Sequence, residues 1–525
     1  GKLPQAIELY LQAAKEAGKD RTLAAKALIR AAASEEKLGQ PDAVNVYGEV
    51  IRMYPDQREQ AQVAQVRLAA LMRTPAATMQ GAGRPATTDV SAVASPMFEE
   101  YCIRCHSQTT RTAALALDSL NAKNVGENTA TWERVLARLR ARRDPPSGLA
   151  RPDEKTYQAV ISKLESALDQ AYPAKNFLDA KDRATDDELA TRIAAFIWGS
   201  APDAGLQEDA RKAKLHDPAT LDQQVRRMLR DPKSVHLVTS FFEPQLSVDK
   251  LDKVSPNQPT FPDFDSALLQ AMGMETRLFL DSQLREDHGA LELWTANYSF
   301  LNERLARHYG IPNVSGNDFR RVTLPNNNRA GLLGQGSVLT VTSQSNRTSP
   351  VTRGIWVLRN MFGMRPPDPP ANIPPIGNTP EDRARTMRER MAAHKTNPAC
   401  VNCHAIFDPL GLALENFDGV GQWRSTEGGA MIDVSGAFND GSKFNGPAEF
   451  RAGLLKYRDA YYSNITQQLI AYALGRKGQS GRLYDYEMPS VRAIVKAAAP
   501  NNYRWTSIVS GIVNSAPFQK KDIVP

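Results

Sequence analysis

Long hydrophobic runs are absent from this sequence of 525 residues. A transmembrane helix needs about eighteen or more consecutive apolar residues, and the densest window, Ile465 to Leu474, is interrupted by polar side chains. We therefore expect no membrane span in the chain. The sequence also opens without a basic segment followed by an apolar one, so we expect any signal peptide to have been removed or to lie outside it.

Aromatic residues are few as well, at 7%, and the formal net charge of +7 is small for this length. Nucleic-acid binding needs a concentrated basic patch with aromatic side chains that stack on bases, so we expect no nucleic-acid partner. Apolar residues (42%) and charged residues (23%) occur at ordinary globular frequencies, which excludes a disordered or fibrous chain. The length exceeds what one hydrophobic core supports and predicts three or more domains.

Cysteine is rare, with four residues in the whole chain, but its placement is informative. All four fall in two copies of the pattern C-x-x-C-H, the attachment signature of a c-type haem. Two thiols on one helical turn can bond the same porphyrin, and the histidine that follows can bind the iron. The residues are Cys102, Cys105, His106, Cys400, Cys403 and His404. The sequence therefore predicts two covalently attached haems, with the two histidines as proximal iron ligands.

Zinc binding and redox chemistry are the alternatives for such cysteine pairs. Structural zinc takes two close pairs around one ion, whereas these pairs lie far apart and each is followed directly by histidine. A redox-active C-x-x-C occurs in a thioredoxin-like βαβ context, which neither flank shows. Covalent haem is the favoured interpretation. Because bacteria attach such haem outside the cytoplasmic membrane, we expect a periplasmic or extracellular protein.

The predicted fold is mainly α-helical and multi-domain. In residues 1–72, the segment from Pro4 to Tyr10 recurs as Pro41 to Tyr47, a spacing of 37 residues. This spacing is close to the roughly 34 residues of a tetratricopeptide (TPR) repeat. Such helix pairs stack into a solenoid that binds other proteins, which makes 1–72 the candidate docking site for a redox partner; plain helical packing is an equal alternative. Residues 73–95, rich in Pro, Gly, Ala and Thr, predict a linker.

Two cytochrome c-like haem domains are predicted at residues 96–172 and 379–525. They flank a helical middle domain at 186–375 that contains minor β structure, with strand-like residues at 319–324. A glycine-rich segment at 431–444 predicts a small β-ribbon inside the second haem domain.

Several segments carry a resemblance to a known family. They are ELATRIAAFIWGSAPD, FLNERLARHYGIP, GLLGQGSVLTVTSQSNRTSPVTRGIWVLRNM, NPACVNCHAIFDPLGLALENFDGVGQWR, LIAYALGR and YRWTSIVSGIVNSAPF. Over residues 96–525 the chain resembles large secreted bacterial c-type cytochromes built from the domains of unknown function 1592, 1588 and 1585. A planctomycete-type cytochrome c domain commonly precedes these domains. The activity of that family is poorly defined, so the resemblance implies architecture more than function.

The sixth ligand of a haem iron separates an electron carrier from a site that binds peroxide or oxygen. For the second haem, Met488 before Pro489 is the favoured candidate, because Met-Pro is similar to the distal loop of many cytochromes c. His394 and Met431 are the alternatives. His308 is also a candidate iron ligand, although a core hydrogen bond is the simpler role for a single buried histidine.

The first haem lacks the expected methionine. Domains that resemble this one carry Met-Pro-Pro after a helix like TWERVLARLRAR, and Asp144 stands at that methionine position here. Either another part of the protein supplies the ligand, or the iron has an open face with Asp144 and Arg143 as polar distal groups.

The favoured function is an exported diheme c-type cytochrome that passes electrons between a partner oxidoreductase and a downstream acceptor. One alternative is a diheme peroxidase or oxygenase with an open N-terminal haem. The other is a haem-carrying structural subunit of a larger electron-transfer complex. Association with a membrane complex stays open.

Overall fold

The computed structural model describes thirteen stretches of the chain: residues 3–17, 20–37, 42–54, 56–73, 89–146, 148–172, 182–364, 366, 376, 379, 385–394, 398–476 and 483–521. Within them the protein is mainly helical with three small two-stranded sheets, which confirms the predicted fold class at this level. The chain divides into two compact units, Gly1–Pro85 and Ala86–Pro525. None of the described helices is long and apolar enough to cross a membrane.

The first unit is a series of helices in which consecutive members pack on each other. They are α1 Leu3–Glu16, α2 Arg21–Lys37, α3 Asp42–Met53 and α4 Arg58–Arg73. Small side chains such as Ala31 and Ala32 let the helices approach closely around the buried ring of Tyr47. Of the predicted repeat positions, Tyr47 is buried and Tyr10 is half-buried against the same core. The TPR-like assignment itself stays a prediction.

The second unit begins with three helices around the first C-x-x-C-H. They are α5 Ser91–Tyr101, α6 Thr129–Arg140 and α7 Glu154–Ala171. Helix α5 starts inside the predicted linker of 73–95, because Val93, Ala94, Met97 and Phe98 form an apolar face toward the core. The rings of Phe98 and Trp132 stack with centroids 6.0 Å apart and join α5 to α6.

The middle of the chain continues as helices with one hairpin. The helices are α8 Asp186–Trp198, α9 Ala204–Arg211, α10 Pro218–Arg230, α11 Val235–Leu237, α12 Glu243–Leu246, α13 Ser266–Arg285, α14 Glu292–Thr295, α15 Glu303–Tyr309, α16 Gly336–Val341 and α17 Pro350–Phe362. Strands β1 Tyr298–Leu301 and β2 Arg320–Thr323 pair antiparallel, and β2 lies within the predicted strand at 319–324. A capping box of Thr185 and Glu188 starts α8.

The C-terminal part contains the second C-x-x-C-H. Its helices are α18 Met387–His394, α19 Pro398–Leu412, α20 Pro447–Leu454, α21 Arg458–Ala473, α22 Met488–Ala498, α23 Trp505–Val513 and α24 Ala516–Gln519. Two antiparallel hairpins follow α19: β3 Thr426–Glu427 with β4 Ala430–Met431, and β5 Ser435–Ala437 with β6 Lys443–Asn445. The β5–β6 hairpin corresponds to the β-ribbon predicted at 431–444, whereas the β3–β4 hairpin lies before it and was not predicted.

Two glycines let α17 and α19 pack closely. A Cβ atom at Gly354 would lie 1.9 Å from the carbonyl oxygen of Phe407, and one at Gly411 would lie 1.8 Å from that of Pro350. Any larger residue at either position would therefore force the helices apart. This contact fixes α19, which carries the second motif, against α17.

One hydrophobic cluster runs through the middle and C-terminal parts, from Ala184 to Phe518. For example, the α17 side chains Trp356 and Val357 belong to the same cluster as Phe407 on α19 and Tyr461 on α21. The predicted boundary between a middle domain ending at 375 and a haem domain beginning at 379 lies mostly outside the described residues. On both sides of it, the described residues share this core.

Candidate functional site

The first motif (residues 102–106) lies where α5 ends. The Cys102 amide donates to the Phe98 carbonyl at 2.9 Å, and the amides of Cys105 and His106 then donate to the Cys102 carbonyl at 3.1 and 2.9 Å. The motif is thus a single tight turn that continues the helix. Cys102 is buried, Cys105 is half-buried, and neither forms a disulfide. Two thiols on one turn can bond one ligand.

His106 is held in one orientation by the loop that follows the motif. Its Nδ1 lies 3.0 Å from the carbonyl oxygen of Thr112. Because a carbonyl only accepts, Nδ1 must carry the proton, which leaves the Nε2 lone pair to bind a metal. The Thr110 hydroxyl donates to the Cys105 carbonyl at 2.8 Å and further fixes the loop. The donor set of two thiols and one Nε2 fits a c-type haem.

The structure brings Asp144 to the first motif. Its carboxylate forms an ion pair with Arg138. Burial disfavours the charged carboxylate, but Arg138, together with His106 and Arg143, holds the pKa of Asp144 below its usual range. Burial, with Asp144 and Cys105 adding to it, raises the pKa of the Cys102 thiol to about 12. The position predicted from the motif to lie over the first haem is therefore occupied by a charged, paired carboxylate.

Arg143 lies beside this ion pair. Its Nε is buried without a hydrogen-bond partner. Burial and the neighbouring charge of Arg138 lower its guanidinium pKa to about 10. A buried, unpartnered N–H next to a carboxylate can donate to an additional group at this site.

Tyr157 and Arg151 support the loop that carries Asp144. We call residues 142–146 the distal loop. The Tyr157 hydroxyl donates to the Asp144 carbonyl at 2.6 Å. Arg151 donates to the carbonyls of Arg142, at 2.6 Å, and Pro145, and its guanidinium also reaches the Tyr157 hydroxyl at 3.1 Å. Arg151, just before α7, and Tyr157, on α7, thus hold the backbone of the distal loop through hydrogen bonds to its carbonyls.

Asn439 supports the same loop from the C-terminal part of the chain. Its Nδ2 lies 2.8, 2.9 and 3.2 Å from the carbonyl oxygens of Arg142, Arg143 and Pro145. Asn439 sits between β5 and β6, and its own carbonyl accepts from Arg151 at 3.0 Å. The hairpin of the C-terminal part therefore contributes to the position of Asp144.

The second motif (residues 400–404) lies on α19. The helix covers Cys400, Cys403 and His404, while the two cysteine side chains lie outside the part that the structure describes. His404 Nδ1 lies 2.9 Å from Asp408 Oδ1, one helical turn later, and Asp408 is 2% exposed. Because a carboxylate accepts, this contact favours a proton on Nδ1, and a carboxylate partner of this kind makes an imidazole a stronger donor to a metal at Nε2.

The remaining candidate iron ligands, Met488, Met431, His308 and His394, lie on separate elements of the fold. Met488 is the first residue of α22, half-buried against the large core, and α22 packs on α21, α23 and α7. Met431 is 73% exposed on β4. His308 is buried, and its Nε2 donates to the Val420 carbonyl at 2.8 Å, as in the simpler role. The His394 side chain lies outside the described residues. Met488 as a ligand stays a prediction.

Several supporting residues were not predicted from the sequence, among them Asp408, Arg151 and Asn439. Asp408 could have been found, because C-x-x-C-H-x-x-x-D places a carboxylate one helical turn after the histidine. Arg151 and Asn439 bind backbone carbonyls, which leave no sequence pattern. Among the described residues, no group of three or more His, Cys, Asp or Glu side chains converges as a metal site.

Three family models match the chain. They are all described as "Protein of unknown function": DUF1592 over residues 184–311, DUF1588 over 329–427 and DUF1585 over 440–518. The chain thus contains this combination of domains, as the resemblance implied. The second motif lies within the DUF1588 match, and the first lies before all three. No curated protein and no solved structure matches the chain.

Proposed function

We propose that the protein is a diheme c-type cytochrome that passes electrons between a partner oxidoreductase and a downstream acceptor. The observation that carries this proposal is that all four cysteines fall in C-x-x-C-H motifs, and that in the first motif His106 Nδ1 faces the Thr112 carbonyl. That arrangement leaves Nε2 ready for iron. The three matched domains are associated with cytochrome c-like proteins, which supports an electron-transfer role.

Cys102, Cys105 and His106 would hold one haem, and Cys400, Cys403 and His404 the other. When bound, haem supplies one-electron iron chemistry. The chain's own residues hold the ligands: Thr112 fixes the His106 ring, and Asp408 fixes the His404 ring. A carboxylate at His404 and a neutral carbonyl at His106 give the two imidazoles different donor strengths, so the two sites would differ in reduction potential.

Location and partners follow from the same chemistry. Because bacteria attach c-type haem outside the cytoplasmic membrane, we place the protein in the periplasm or outside the cell. The N-terminal helices are the proposed docking surface for a redox partner. Leu9, Leu23 and Met53 support this, since each of these large apolar side chains in the first unit is more than half exposed.

Peroxide reduction is a second candidate function, favoured by the distal loop. Asp144 stands where a methionine ligand is expected, and the neighbouring Arg143 has a buried, unpartnered N–H. Both groups could bind an incoming peroxide and hold its protons, while two electrons and two protons reduce it to water.

The test is haem content in the matured full-length protein. The variants Cys102→Ala/Cys105→Ala and Cys400→Ala/Cys403→Ala should each retain one covalent haem of two, measured by mass spectrometry and by the reduced pyridine haemochrome spectrum. Arg104→Ala, an exposed residue inside the first motif, is the matched control and should retain both. Protein without haem bands, or with zinc instead, would refute the proposal.

Ferric electron paramagnetic resonance separates the two candidate functions. Two low-spin signals would support a pure electron carrier. A high-spin signal that disappears in Cys102→Ala/Cys105→Ala, together with turnover of hydrogen peroxide, would support the second candidate.

A further inference from the structure

A run of five tyrosine and tryptophan side chains crosses the large hydrophobic cluster of the second unit. Its members, which we call the aromatic run, are Trp356, Trp294, Tyr461, Tyr462 and Tyr503. Their successive ring centroids lie 6.0, 5.5, 5.9 and 3.5 Å apart. Among the described residues this is the longest set of connected Tyr and Trp rings. Elsewhere phenylalanine intervenes: Tyr472 and Trp505, for example, connect through Phe241 and Phe242.

The residue types of the run matter because tyrosine and tryptophan lose an electron far more readily than phenylalanine does. An electron can pass from ring to ring in short steps where such rings lie close together. The shortest step joins Tyr462 and Tyr503, whose rings stack with only 14° between their planes. Because every member can be oxidised, the run is a path for single electrons, which a run interrupted by phenylalanine is not.

The inner end of the run lies on α17, close to the second motif. Trp356 follows Gly354 by two residues, and Gly354 is a point at which α17 lies against the Phe407 carbonyl. The ring of Phe407 in turn lies beside the His404 imidazole, with centroids 5.0 Å apart. The run therefore starts on a helix that packs directly against the neighbours of a proposed iron ligand.

The outer end of the run is Tyr503, which lies just before α23. The other four members are buried, whereas Tyr503 is half-buried and reaches solvent. Its backbone is held in place, because its carbonyl accepts from the Ala290 amide and its amide donates to the Ala498 carbonyl, both at 3.0 Å. The run thus connects the interior with a fixed position at the surface.

The release of protons determines where an oxidised run comes to rest. A tyrosine that loses an electron also has to release its hydroxyl proton. The Tyr461 hydroxyl donates to the Ala290 carbonyl at 3.0 Å, and a carbonyl does not act as a base. Tyr462 is 3% exposed, so solvent water has little access to it. Tyr503 can release its proton to water, and we expect the radical to settle there.

We propose that the aromatic run carries single oxidising equivalents from the haem proposed at His404 to Tyr503, where small phenols are oxidised. The inference rests on the proposed function, and in particular on peroxide reduction as its second candidate.

The electrons and protons of this reaction balance. Each hydrogen peroxide takes up two electrons and two protons and forms two molecules of water. Each electron passes inward along the run, and the matching proton leaves the Tyr503 hydroxyl for water. A phenol then gives one electron and one proton to the Tyr503 radical and restores its hydroxyl. Two phenols are therefore converted to phenoxyl radicals for each peroxide reduced.

The experiment locates the radical with a nitroso spin trap. The full-length, haem-loaded protein is treated with hydrogen peroxide and the trap, and trap adducts are located by peptide mass spectrometry. In the wild type we expect an adduct at Tyr503. Trp294→Phe should lose this adduct, because phenylalanine does not carry the electron, whereas Trp294→Tyr should retain it. The two variants differ by one hydroxyl group, so the comparison separates oxidation of the ring from its packing.

Tyr486→Phe is the matched control. Tyr486 stacks on Tyr484 with centroids 5.1 Å apart and is half-buried like Tyr503, but it lies outside the aromatic run. This variant should retain the Tyr503 adduct at the wild-type level. The rate at which guaiacol, a small phenol, is oxidised should follow the adduct: lower in Trp294→Phe, and unchanged in Tyr486→Phe.

The proposal is overturned if the wild type forms no adduct at Tyr503, if Trp294→Phe forms as much as the wild type, or if both Trp294 variants lose it equally. Equal guaiacol oxidation in Trp294→Phe and the wild type would also overturn it. Haem content is measured first in each sample. Protein without haem would refute the proposed function and this inference together, whereas two haems without a Tyr503 adduct would refute this inference alone.

Discussion

Asn439→Ala should loosen the distal loop without changing the first motif itself. The Asn439 amide has two N–H donors, which three loop carbonyls share at 2.8, 2.9 and 3.2 Å. A hydrogen bond of this kind contributes about 1 kcal/mol net, so truncation should cost about 2 kcal/mol of local stability. Arg151 still donates to two of the same carbonyls, so the loop should open more often rather than unfold.

The assay is hydrogen exchange at the backbone amides of Arg142 and Arg143. In the native protein these amides donate to the carbonyls of Leu139 and Arg138, both at 3.0 Å. A cost of about 2 kcal/mol in loop opening corresponds to exchange about 30-fold faster. Asn445→Ala, an exposed residue on the same hairpin, is the matched control and should exchange as the wild type does.

The reasoning would be refuted in either of two ways. Unchanged exchange in Asn439→Ala would mean that the hairpin does not hold the loop. An equal increase in Asn445→Ala would mean that the hairpin as a whole, rather than the Asn439 amide, determines loop stability.

Three further predictions concern single side chains. Asp144→Met should convert the first haem to a methionine-ligated, low-spin centre, visible by ferric electron paramagnetic resonance; an unchanged spectrum would contradict the proposed position of Asp144. Asp408→Asn should raise the potential of one haem in a redox titration, because His404 loses its carboxylate partner and donates less to ferric iron; an equal or lower potential would contradict this. Burial raises the pKa of Glu275 to about 7, so the native state holds a proton that the unfolded state releases, and stability should fall by about 3 kcal/mol as pH rises from about 4.5 to above 7. Urea denaturation of Glu275→Gln should lack this part of the pH dependence, and a dependence equal to that of the wild type would exclude Glu275 as its source.

The helical fold could be predicted from the sequence, and the two C-x-x-C-H motifs could be identified in it, because both depend on the local spacing of residues. Apolar periodicity identifies the face of a helix that is buried, but it does not identify the partner of that face. The predicted middle and second haem domains therefore appeared separate, although Trp356 and Phe407 from the two sides share one core. Similarly, the position of Asp144 followed from a motif, whereas Asn439 lies almost 300 positions away and binds only backbone carbonyls.

The surroundings of the first motif also determine how it can move relative to the rest of its unit. Arg492 on α22 is 7% exposed and binds Glu133 at 2.8 Å and Asp169 at 2.6 Å, on α6 and α7. Arg140 on α6 donates to the Ser463 hydroxyl on α21 at 3.1 Å. Separating these helices would leave a buried guanidinium without its carboxylates, a cost of several kcal/mol. Asn439, from the C-terminal part, adds its hydrogen bonds to the distal loop. The first motif is therefore fixed to the C-terminal helices. We expect the two proposed haems to work at a constant separation rather than as independently moving carriers.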